Sequence, residues 1–190
     1  VNSMRNPVLA IALPILRLGG YAACAKQPDA APGCWVTPAI AGFGRVHVPP
    51  NAAYKPDPAK TYKVVFAMTR GAKEPGEVNP ALERVARTVN LYAASGVPRA
   101  HLKFVGVAYG EATVLALDDT HYRAKFGVAN PNLRLIGLLR KAGVDVGVCA
   151  QAVAENGFDY AWIDKSVTID LSGLTTVTTL QQAGYALMPL

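Results

Sequence analysis

The chain has 190 residues, 51% of them hydrophobic and 17% charged, with a mean hydropathy of +0.20. That length closes one core without disulfides but leaves no room for two large catalytic domains, and the composition excludes intrinsic disorder. A formal net charge of +6 is small and its carriers are scattered, the longest basic cluster being Arg140-Lys141, so no nucleic-acid partner is expected.

The first segment reads as a secretory leader over residues 1–25. Arg5 supplies a positive start, Val8 to Leu16 an apolar run, and Ala23-Cys24-Ala25 a small-residue cleavage site. Cleavage there starts the mature chain near Lys26 and implies a periplasmic, secreted protein; the formal charge then falls by two as Arg5 and Arg17 leave. Ala22-Ala23-Cys24 also partly fits lipidation at Cys24, with Tyr21 an awkward neighbour. The run is too short for a stable membrane span, and no other stretch approaches the required length of about 20 apolar residues.

Residues 26–60 read as an extended, Pro-rich arm. Seven of the 14 prolines lie between Pro28 and Pro58, together with Gly33, Gly42 and Gly44, and no hydrophobic period survives there. Arg45 to Val48 is the piece placed along a sheet edge or a neighbouring subunit.

From residue 61 to 190 strand and helix signals alternate. Tyr62 to Met68 is β-favouring. Asn79 then offers an N-cap and Pro80 a first turn, and Leu82, Val85, Ala86, Val89 and Ala93 recur at helical spacing until Gly96. Glu83, Arg84 and Arg87 occupy the opposite face as ordinary surface support. Leu102 to Tyr109 is a buried strand ending at Gly110, and Asp118, Asp119 and His121 fall in a solvated loop. Asn130-Pro131-Asn132 opens a helix carrying Leu133, Ile136 and Leu139 and stopped by Gly143. Val144 to Cys149 is a strand, Ala150 to Asn156 a helix, Val167 to Asp170 a strand, Leu174 to Gln182 a helix, and Tyr185 to Met188 a last strand. This order predicts an α/β fold: three layers, α/β/α, around a mostly parallel sheet of about five strands.

In such sheets reactive groups gather where strands end and helices begin, and Cys149 stands at that junction. Unpaired N–H groups at a helix start favour an anion, which makes a thiolate the expected reactive form. Packing as a small hydrophobe is the structural alternative. The residues expected around Cys149 are Tyr109, Gly110, Asn130, Asn132 and Gln151, with helix capping the other role open to the two asparagines.

Taken together, the strand Lys63-Val64-Val65-Phe66, the run Leu102 to Gly110, the segment Asn130-Pro131-Asn132-Leu133 through Gly143 to Gln151 and Gly157, and the ending Leu180-Gln181-Gln182-Ala183-Gly184-Tyr185 resemble the DsrE/DsrF-like family over roughly two-thirds of the chain. The resemblance implies a sulfur-relay-type protein that assembles into trimers or hexamers. The cysteine matching Cys149 would form a persulfide and hand its sulfur to the thiol of a donor or acceptor partner, with no metal and no dissociable cofactor. Two departures stand out: Tyr109 replaces a histidine common in relatives, and Ala150 follows the cysteine where many carry glycine. As a poor general base near neutrality, Tyr109 leaves histidine-type proton transfer at that position unfilled.

Other chemistries find no support. His47 and His101 lack spaced partners, Gly42-Phe43-Gly44 lacks the context of a dinucleotide loop, and neither a P-loop nor a Gly-x-Ser-x-Gly elbow occurs. The competing functional reading is a non-catalytic oligomeric binding or scaffold protein of the same fold, with Cys149 inert or disulfide-bonded to Cys34.

Overall fold

A computed structural model describes residues 35–190; the expected leader, Cys24 and Cys34 lie outside the described residues. Five strands form the sheet: β1 (Tyr62–Met68), β2 (Leu102–Ala108), β3 (Asp145–Cys149), β4 (Thr168–Asp170) and β5 (Ala186–Pro189). Their order is β4-β3-β2-β1-β5, and every pairing is parallel. The α/β reading therefore holds, with a fully parallel sheet in place of a mostly parallel one.

The helices follow the capping signals. Helix α1 (Pro80–Ala94) is capped by the Asn79 side chain, which accepts from the backbone N–H groups of Ala81 and Leu82, and Pro80 fills the turn whose N–H would otherwise be orphaned. Then come α2 (Asp119–Phe126), α3 (Leu133–Lys141), α4 (Ala150–Glu155) and α5 (Gly173–Gln182). Helix α2 corrects the loop expected around Asp118, Asp119 and His121. The Asp118 side chain caps it by accepting from the His121 N–H, and Gly127 ends it in a left-handed conformation. Polarity hid this helix, because its eight residues bury only Tyr122.

Strand alternation sorts the core into two faces. Val64, Phe66, Met68, Phe104, Val146 and Val148 belong to one large cluster with Leu82, Val85, Leu135, Ile136 and Leu139 from α1 and α3. Phe66 meets Phe104 edge to face at 5.4 Å between ring centroids, and Tyr92 meets Phe104 at 5.3 Å, each pair worth about 1 kcal/mol beyond its buried area. The opposite face carries Val65, Ala67 and Val107, all buried, and α5 packs there across β1 and β2. Interior β1 is buried from Val64 to Met68, whereas the edge strand β5 is exposed throughout.

Residues 35–48 do not run along a sheet edge. An antiparallel bridge between Val36 and Val46 closes them into a loop that sits on α1, with Ile40 and Val46 buried. Asn90 of α1 holds the loop. Its side-chain oxygen accepts from the backbone N–H of Ala39 at 2.9 Å and of Ile40 at 2.8 Å, and its nitrogen donates to the carbonyls of Phe43 at 2.9 Å and Gly44 at 3.0 Å. Glu83, expected as a plain surface residue, accepts from the Gly44 N–H at 2.7 Å. Replacing Asn90 by Ala strands four backbone groups and should cost about 2–3 kcal/mol in urea unfolding, with faster amide exchange at Ile40 as the local signature.

Candidate functional site

Cys149 is the last residue of β3 and the N-cap of α4, and its sulfur accepts from the Ala152 N–H at 3.4 Å. It belongs to the face covered by α5, since Val146 and Val148 point to the other. The thiol is free and 5% exposed. Register then fixes its neighbours. Cys149 pairs with Asp170 of β4, and Gly147 with Thr168 and with Val107 of β2.

Tyr109 continues the extended backbone of β2 (φ −155°, ψ 175°), level with Cys149, and its ring lies on the backbone of Gly173, where an added Cβ would come within 2.9 Å of it. Gln151, exposed in the first turn of α4, donates to the Leu171 carbonyl at 3.1 Å and so ties α4 to the chain leaving β4. Gly110 takes φ +60° beside the Thr69 carbonyl, a turn that a side chain would strain. Tyr109, Gln151 and Cys149 thus share one corner of the sheet, with Gly110 on its rim.

Asn130 and Asn132 lie elsewhere. The buried Asn130 amide donates to the Leu115 and Leu117 carbonyls, and its oxygen accepts from the backbone and side-chain nitrogens of Asn132. Asn132 in turn accepts from the Asn79 N–H at 2.8 Å. Neither side chain caps α3; Asn132 holds the N-cap position without a side-chain bond. The chain of amides instead joins the starts of α1 and α3 to the turn after β2. It backs a cavity of about 440 Å³ lined by Lys73, Glu74, Asn79, Glu111, Tyr122 and Asn132 among others, with Cys149 outside it.

Beyond the expected set, the corner holds Asp170. Its carboxyl occupies the space above Gly147, where a Cβ would meet the carboxyl carbon at 2.8 Å, and one carboxyl oxygen is enclosed without a hydrogen-bond partner. Burial, and then the neighbouring Asp145, lift Asp170 from 3.8 to about 6. Asp145 itself accepts from Thr168 at 2.9 Å and pairs with Arg140. The sequence signal was available: a carboxylate at the end of the Val-Thr-Ile-Asp strand and a glycine inside the neighbouring one.

The DsrE/DsrF-like family profile matches residues 62–190. The chain belongs to the DsrE/DsrF-like family. No match was found among curated proteins. The fold is also similar to that of a solved protein of unknown function from Methanobacterium thermoautotrophicum, with a TM-score of 0.50 and 19% identity over 68% of this chain and 99% of that one. The DsrE/DsrF-like domain thus contains the whole Cys149 corner, while the loop held by Asn90 precedes it.

Asp170 gives this domain a pH signature. The folded state binds its proton more tightly than the unfolded chain, so the contribution is most favourable below about 4 and is lost as pH rises through about 6. Asp170→Asn should therefore stabilise the protein at pH 7.5 by about 1 kcal/mol after solvent screening of a partly exposed carboxylate, and should give no gain at pH 4, as read by urea unfolding at both values.

Proposed function

We propose that this DsrE/DsrF-like protein is a sulfur carrier in which Cys149 takes up sulfane sulfur as a persulfide and passes it to another thiol. The family is associated with sulfur relay. The observation that carries the reading is the placement of Cys149 inside the family domain, at the carboxyl end of β3, with the Ala152 N–H directed at its sulfur. Such a donor is a ready partner for a sulfur anion, whether thiolate or persulfide. Transfer then proceeds by exchange: the thiolate attacks the outer sulfur of a donor and later yields it to an acceptor thiolate.

The 5% exposure of Cys149 is the observation that favours the scaffold reading, since reactive thiols are more often partly open. The two readings part on one experiment. After exposure of the protein to a sulfane-sulfur donor, mass spectrometry should show an added sulfur atom that disappears in Cys149→Ser, persists in Cys34→Ser, and moves to a second thiol. A free Cys149 that takes up no sulfur, or one bridged to Cys34, would leave the scaffold reading in place.

The same reading includes a homo-oligomer, a trimer or hexamer, working in the periplasm, with thiol-bearing proteins as donor and acceptor. Supporting the assembly, Leu171 and Leu174 are 72% and 79% exposed beside the Cys149 corner, and apolar groups of that size are commonly covered by a partner subunit. Among the described residues no helix is long and apolar enough to cross a membrane. Light scattering on the eluted protein should give three or six times the chain mass, and Leu174→Glu should shift it toward the single chain.

A further inference from the structure

We infer that Asp170 is the proton acceptor for the Cys149 thiol, taking its proton as the sulfur attacks a persulfide donor and returning it to the departing thiolate. This deepens the sulfur-carrier reading and rests on it.

Three observations converge. The parallel register sets Asp170 and Cys149 side by side as Cα partners on adjacent strands, with both side chains on one face of the sheet. The Asp170 carboxyl leans over Gly147, a position left vacant by the missing side chain, two residues along β3 from the cysteine. One of its oxygens is enclosed and makes no hydrogen bond. Buried polar groups are almost always paired, and an unpaired one in a folded protein is costly enough to call for a use. The thiol proton of its register partner supplies one, and contacts of this kind often tighten only once substrate is bound.

Asp145 is the charged neighbour of Asp170 and Cys149 its Cα partner on β3; the first turn of α5 carries no ionisable side chain. Asp170, lifted to about 6 by burial and by Asp145, is a base suited to neutral pH.

The step balances without an outside oxidant. With a donor R–S–SH, the Cys149 S–H bond breaks, its proton goes to the Asp170 carboxylate, the Cys149 sulfur bonds to the outer sulfur, and the R–S to sulfur bond breaks. The products are the Cys149 persulfide and R–S⁻, which takes the proton back from Asp170 and leaves as R–SH.

The test follows Cys149 alkylation by iodoacetamide from pH 4.5 to 9.5 in the intact protein and in Asp170→Asn, alongside loading from glutathione persulfide, both read by mass spectrometry. The wild-type alkylation rate should rise through about 6 and level off before climbing again at the alkaline end. Asp170→Asn should lose that lower limb and be slower by about tenfold or more at pH 7, while the two profiles converge at the alkaline end. A merely structural role would scale the whole profile uniformly, and that result overturns the inference. If the wild type loads sulfur and Asp170→Asn loads it with the same pH profile, Asp170 is excluded and the carrier reading survives. If the lower limb depends on Asp170 but no persulfide forms, the proton coupling stands and the carrier reading fails.

Discussion

A parallel crossover closes in only one hand, and that constraint decides what lies above each face of this sheet. Stepping from β1 through β2 and β3 to β4 in one direction places α1, α3 and α4 on a single face. The return from β4 to β5 across the sheet must use the other, and it brings one helix. One face is thus a deep core built on Phe66, Phe104 and Leu135, and the other is a thin layer resting on Val65, Ala67 and Val107. Cys149 belongs to the thin side. A thiol placed there is close to the surface without being in solvent, a position in keeping with the proposed sulfur exchange.

The chemistry of that corner depends on what is missing as much as on what is present. Two glycines shape it: Gly147 gives the Asp170 carboxyl its space, and Gly173 lets the Tyr109 ring lie against the start of α5. With a side chain at either position the carboxylate or the ring would be displaced. Burial of the Asp170 carboxyl, and then Asp145, bonded to Thr168 and Arg140, make its proton harder to lose.

Much of this was legible in the chain itself. The five strands and the helices α1, α3, α4 and α5 follow from periodicity and from Asn, Pro and Gly at their ends, signals set by local backbone chemistry. Helix α2 was not, because an eight-residue helix that buries one side chain leaves almost no apolar period to read. Cys149, Tyr109 and Gln151 share a corner because they terminate or follow neighbouring strands. The same rule sets Asn130 and Asn132 beside them, yet they serve the opposite face, where the turn after β2 offers carbonyls to the Asn130 amide and Asn130 in turn accepts from Asn132. Which side of a sheet a loop residue serves depends on the crossover, and a single strand end does not record it. Asn90 carries no signal of its own for a related reason: a polar residue within an apolar helical stripe acquires meaning only with the loop it binds, some 50 residues earlier.

That carboxamide also bears on where the folding unit begins. The family domain starts at residue 62, but α1 of that domain presents two donors and an acceptor whose partners all lie between Ala39 and Gly44. A fragment cut at the family boundary would keep Asn90 in an apolar stripe with its partners gone and the surface beneath Ile40 laid open. Sequence kinship and physical autonomy therefore have different edges in this chain, and the second lies upstream of the first.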